Sequence, residues 1–114
     1  MPEQGDIVLV PVPFTDLSSQ KRRPVIVISN QEYNKNCGDV VVVSMTSNPA
    51  TNRYTFTIDN ADLERGTLNR PGQVRCDKIY TLAQSIIVRK FGRVKPAVLD
   101  AIRGCLQDLA APAQ

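Results

Sequence analysis

Asp39-Val40-Val41-Val42-Val43-Ser44 sets four β-branched residues between two polar ones, and it predicts a strand buried on both faces. On its N-terminal side, Asn30 to Gly38 is rich in asparagine and reads as a loop with one helical turn. Before that, Pro24 to Ser29 is a second apolar run, and Ile7-Val8-Leu9-Val10 a first; β-branching and length favour strands for both. Pro11 and Pro13 end the first strand or place it on an edge. Phe14 to Arg22 is a polar loop with turn chemistry in Thr15-Asp16-Leu17-Ser18-Ser19.

On the C-terminal side, Ser47 to Asn52 is a loop, and Tyr54-Thr55-Phe56-Thr57-Ile58 alternates as a half-exposed antiparallel strand does. Asp59 to Pro71 is irregular, with a short helical turn at Ala61 to Arg65. Gly72 to Cys76 is a strand that Lys78 to Leu82 continues, and Val88 to Val94 pairs as the last. Pro96 opens a helix that reaches about residue 110. Its Val98, Leu99, Ile102, Cys105, Leu106 and Leu109 fall on one stripe. Many short strands followed by one helix predict a mostly β fold: a small antiparallel barrel with an appended C-terminal helix. Residues 1–114 form a single domain on this reading.

The chain has no histidine, which excludes an imidazole acid–base pair, and no tryptophan, so its core must be aliphatic. A net charge of +3 permits a polyanionic partner without requiring one. The distribution is more telling: Lys21, Arg22 and Arg23 are consecutive, and Arg89, Lys90, Arg93 and Lys95 form a second cluster. Cys37, Cys76 and Cys105 share no CxxC spacing, so neither a disulfide framework nor a zinc site follows, and a reducing cytoplasm is the expected setting. No signal peptide and no membrane span are expected.

Three strand ends carry chemistry. Arg23 opens one at Arg23-Pro24; Thr46 closes another within Val43-Ser44-Met45-Thr46-Ser47; Arg75 and Asp77 flank Cys76 in Val74-Arg75-Cys76-Asp77. Two guanidiniums, a hydroxyl and a carboxylate suit phosphodiester cleavage without a metal, and no cofactor is expected. RNA supplies its own 2′-hydroxyl nucleophile. The protein must then help the proton leave, worth about 10²–10⁴, and stabilise charge on the phosphoryl oxygens, worth about 10²–10³. An arginine fork matches two phosphate oxygens. Thr46 can donate to phosphate or simply bond its own turn. Arg75 and Asp77, two apart on a strand, face the same side, and Cys76 points into the core; the plainer reading of the two is a local ion pair.

Gly5 to Val10, Phe14-Thr15-Asp16-Leu17, the Arg23-Pro24-Val25-Ile26-Val27 boundary, Val43 to Ser47 and Val74-Arg75-Cys76-Asp77 occur in an order and spacing that resembles the MazF/PemK/Kid family of toxin endoribonucleases. The last of these looks especially like the PemK/Kid branch. The resemblance runs from about Gly5 to Leu109. It implies an SH3-like barrel with a short inserted helix, a homodimer with an RNA groove across its interface, and control by a cognate antitoxin of a type II toxin–antitoxin system. It also implies sequence-specific cleavage of single-stranded RNA, usually mRNA, to 2′,3′-cyclic phosphate and 5′-hydroxyl ends.

Carried onto this chain, the resemblance makes Arg23, Thr46, Arg75 and Asp77 the catalytic residues, with Asp77 as general base and Arg75 as acid or charge stabiliser. A guanidinium pKa above about 12 makes stabilisation the better role for Arg75. Lys21, Arg22, Arg53 and Lys78 are candidates for backbone phosphates, Phe14, Tyr54 and Tyr80 for base stacking, and Asp16 and Ser47 for further RNA contacts. The family often carries a histidine or glutamate in the Thr15–Arg22 loop; here only Asp16, Ser19 and Gln20 stand in that role. Two other readings use the same barrel: a non-enzymatic gyrase poison like the CcdB toxins, which needs no such constellation, and an RNA-binding barrel that does not cleave.

Overall fold

The computed structural model of the chain describes residues 1–11, 22–49 and 52–113. Phe14, Asp16 and Lys21 therefore lie outside the described residues. Among the described residues, seven strands make one antiparallel sheet: β1 (Asp6–Pro11), β2 (Arg22–Val27), β3 (Asp39–Thr46), β4 (Thr55–Ile58), β5 (Leu63–Arg65), β6 (Gly72–Ala83) and β7 (Arg89–Val94). Their order is β4-β6-β3-β2-β1-β7-β5. Two helices, α1 (Gln31–Asn36) and α2 (Pro96–Ala110), complete the mostly β architecture that the strand pattern predicts.

β3 lies inside the sheet between β6 and β2, and its valines serve both faces. Val43 and Met45 join Ile7, Ile26, Val74 and Cys76 in one cluster, which α2 covers with Val98 and Ile102. Val40 and Val42 join Val8, Val10, Val25 and Val27 in the other. Each such aliphatic side chain gains about 1.5–3 kcal/mol by burial, enough to hold β3 inside. Leu109, expected on the buried stripe of α2, stays 37% exposed beyond the reach of the sheet.

Several boundaries differ from the sequence expectation for local reasons. β2 begins at Arg22 rather than Pro24, but its pairing with β3 begins only at Val25, after the proline that has no N–H to give. Asn30 caps α1 by accepting from the Tyr33 N–H, extending the expected single turn to six residues. The helical turn expected at Ala61 to Arg65 is a 3₁₀ turn over Asn60–Asp62. A capping box between Asp59 and Asp62 closes it. Leu63 then enters the core and Leu63–Arg65 pair with β7. The two pieces expected at residues 72–82 are one twelve-residue strand. Its register against β3 jumps from Ser44↔Arg75 to Val43↔Ile79, so Cys76, Asp77 and Lys78 form a bulge.

The second basic cluster is divided by the fold. Asp6, 3% exposed, accepts from the Glu3 N–H at 2.8 Å, from Arg93 Nε at 3.1 Å and its terminal nitrogen at 3.0 Å, and pairs with Lys90 at 3.2 Å. Arg93 also pairs with Glu3. Burial alone would raise the Asp6 pKa, but these partners together hold it below the usual carboxylate range. Arg93 and Lys90 thus tie β7 to β1, while Arg89 points elsewhere.

Candidate active site

Strand register sets the candidate residues in rows. Val8 faces Val25, Val25 faces Ser44, Ser44 faces Arg75 and Arg75 faces Thr55. Val10 faces Arg23, and Thr46 faces Gln73, which faces Thr57. Continuing the β2–β3 register by two residues sets Arg23 opposite Thr46. Paired residues share a face and neighbouring strands are about 4.8 Å apart; diagonal neighbours are about 7–8 Å apart. Arg23, Thr46, Gln73 and Arg75 therefore occupy adjoining positions on one face of the sheet, at the end where β2 and β6 begin and β3 ends.

At that end a cleft of about 650 Å³ opens. Arg22, Arg23, Thr46 and Ser47 line it together with Arg70, Arg89 and the apolar Leu9, Met45 and Phe91; Leu9 and Met45 alternate with Val10 and Thr46 along their strands and so belong to the sheet's other face. Among the described residues no carboxylate lines the cleft. None of its four arginines forms an ion pair with any of the described residues. Among the described residues nothing cancels this positive field, and such a field attracts phosphates. Thr46 Oγ1 accepts from the Asn48 N–H at 3.2 Å, the turn bond its residue type favours. That bond uses a lone pair and leaves the hydroxyl proton to be donated.

Arg75 and Asp77 do not line the cleft. They form a two-point fork, Nε to Oδ1 at 3.0 Å and the terminal nitrogen to Oδ2 at 2.9 Å. The bulge and the pairing of side chains two apart make this possible. Asn52 Nδ2 adds a third bond to Oδ2 at 3.1 Å, and the turn that carries it is held by Cys76 N–H donating to Tyr54 O at 3.1 Å. The Arg75 fork holds the Asp77 carboxyl down at about 2, against the opposing effect of burial, with Asn52 assisting. In return the Arg75 pKa is raised. A carboxylate this acidic is a weak proton acceptor at neutral pH. Cys76 is buried in the core, and burial beside Cys105 pushes its thiol up to about 12, so it is not a nucleophile.

The remaining candidates flank the fork. Arg53 lies 5.5 Å from the ring centre of Tyr54, a cation–π contact, and Lys78 is exposed on the bulge. Tyr80 packs against the second valine cluster. The structure thus gathers Arg22, Arg23, Thr46 and Ser47 in the cleft and sets Arg75, Asp77, Arg53, Tyr54 and Lys78 beside it. Arg70, Arg89, Asn52 and Gln73 were not among the sequence candidates. Arg70 carried a readable signal: Arg70-Pro71 precedes a strand as Arg23-Pro24 does. Among the described residues, no three His, Cys, Asp or Glu side chains gather as metal ligands would. No described helix is long and apolar enough to cross a membrane.

The fold has close counterparts. An endoribonuclease from a mycobacterial species, solved with its cognate antitoxin, superposes with a TM-score of 0.80 over 100% of both chains at 23% identity. A mycobacterial endoribonuclease gives 0.75 at 25% identity, covering 99% of this chain and 95% of the other. MazF from Deinococcus radiodurans, in a MazE–MazF structure, gives 0.76 at 25%, covering 95% and 94%. Among curated proteins no sequence matches the chain significantly. Residues 3–110 match the family described as "PemK-like, MazF-like toxin of type II toxin-antitoxin system". With nearly its whole length matched, and its strand order framing a basic cleft at Arg23 and Thr46, the chain belongs to the PemK/MazF-like toxin family.

Proposed function

We propose that the chain is the toxin of a type II toxin–antitoxin pair and cleaves single-stranded RNA, mRNA above all, at specific sequences without a metal. The observation that carries this is the cleft: four arginines and, among the described residues, no carboxylate, with Arg23 and Thr46 in its lining. The 2′-hydroxyl of the substrate attacks the adjacent phosphorus. The phosphorus–5′-oxygen bond breaks, leaving a 2′,3′-cyclic phosphate and a 5′-hydroxyl. Arg23 grips two non-bridging oxygens and opposes the charge that builds on them. Thr46 donates to one of the same oxygens and holds the attack in line.

Arg75, one diagonal step from Thr46, adds positive charge near the leaving oxygen. Asp77 fixes the Arg75 guanidinium in one orientation, a positioning role that its low pKa favours over proton abstraction. Arg22, Arg70 and Arg89 hold the neighbouring phosphates. The solved relatives include one endoribonuclease bound to an antitoxin. That likeness supports a cognate antitoxin covering the cleft; a homodimeric form working in the cytoplasm is part of the same proposal.

The test is incubation of the purified protein with mixed-sequence single-stranded RNA in EDTA, with both ends of every fragment mapped. Discrete fragments bearing 5′-hydroxyl ends support the reading. An Arg23→Ala protein that folds normally yet cuts at the wild-type rate removes Arg23 from the chemistry.

A further inference from the structure

Gln73 is 9% exposed, and its side chain is half satisfied. Nε2 donates to Thr57 Oγ1 at 2.6 Å. Oε1 is shielded from solvent and has no hydrogen-bond partner, the one such side-chain atom among the described residues. Buried acceptors without a donor are rare because each keeps its full desolvation cost. An apolar side chain of the same length would avoid that cost entirely. The position is also particular: Gln73 faces Thr46 across the strand pair, and the two residues before it, Pro71 and Gly72, line the cleft.

We infer that Gln73 reads the RNA sequence, its side-chain carbonyl accepting a hydrogen bond from the exocyclic amino group of a base beside the scissile phosphate. This rests on the ribonuclease reading above. With one Nε2 hydrogen held by Thr57 and Oε1 without a partner, the unmet group is an acceptor, so the carbonyl selects a base edge bearing an N–H. Adenine N6, cytosine N4 and guanine N2 supply one as an amino group. Because the atom is shielded, the contact forms away from water when a base displaces the cover, and a base without the amino group leaves the carbonyl unpartnered. Buried polar groups discriminate most strongly under that condition. Thr57 orients the amide and is a positioning residue.

The experiment first maps the cleavage motif. It then replaces each base next to the cut, one at a time, with its counterpart lacking the amino group: purine riboside for adenosine, inosine for guanosine, pyrimidin-2-one riboside for cytidine. At one position the wild-type protein should cut the analogue about 10- to 100-fold more slowly. The Q73M protein should cut natural and analogue RNA at nearly equal rates. It should also melt no lower than wild type, since it removes an unpartnered buried polar atom. Cutting by the wild type that is indifferent to every amino group overturns the assignment, and that arm needs no variant. Full discrimination retained by Q73M overturns it as well. No cutting of any RNA overturns the ribonuclease reading, and this assignment with it.

Discussion

Replacing Asp77 by asparagine separates two roles for that carboxylate. The fork to Arg75 and the bond from Asn52 move its pKa from 3.8 to about 2. At about 1.4 kcal/mol per unit the coupling would be roughly 2–3 kcal/mol. The Arg75 and Asp77 side chains keep 26% and 23% of their surface in solvent, and screening there reduces it to about 1 kcal/mol. Because the folded pKa lies below the unfolded one, this stability is present above about pH 4 and is lost as pH falls toward 2. Urea melts from pH 7 down to 2 should show Asp77→Asn about 1 kcal/mol less stable at neutral pH, the gap closing through that window. Cleavage should fall about 10- to 100-fold as Arg75 loses its fixed orientation, while the pH–rate profile between 5 and 8 keeps its shape. An acidic limb near pH 6 in the wild type that vanishes in Asp77→Asn would refute the reasoning, because it would make Asp77 the titrating base.

Arg70→Ala and Arg89→Ala should each weaken RNA binding and lower the slope of log affinity against log salt by about 0.7, without moving the melting temperature; fluorescence anisotropy at several salt concentrations checks this. Gly66 has φ +87° and a Cβ there would lie 2.3 Å from Phe91 O, so Gly66→Ala should cost roughly 2 kcal/mol or more in thermal melts and displace the Thr67–Gly72 wall of the cleft. Asp6→Asn should cost about 3 kcal/mol at pH 7, because it removes the buried charge that both Arg93 and Lys90 pair with. Since the folded Asp6 pKa is depressed, that difference should shrink as pH falls below about 4, which melts in acid would register.

The strands were legible wherever β-branched residues cluster, above all at Val40 to Val43, because burial on two faces leaves an unbroken apolar run. β5 was not. Leu63-Glu64-Arg65 is too short to show a period, and it pairs only because Gly66 and Gly92 let two backbones approach closely. Parity along one strand put Arg75 and Asp77 on a common side, but their fork to each other depends on a bulge, which no pattern of residue types announces. The basic run at residues 89–95 looked like one patch. The fold gives Lys90 and Arg93 to Asp6 and only Arg89 to the cleft. The alignment of Arg23, Thr46 and Gln73 comes from hydrogen bonds between strands distant in the chain, and register of that kind is invisible in the chain itself.

The most direct measurement uses one RNA oligonucleotide containing a mapped cleavage site, and its twin with a single 2′-deoxynucleotide on the 5′ side of the cut, both incubated with the protein in EDTA. The all-ribose strand should be cut at the one site and the substituted strand should survive intact. Equal cutting of the two, or cutting of the ribose strand only after a divalent ion is restored, would contradict the account.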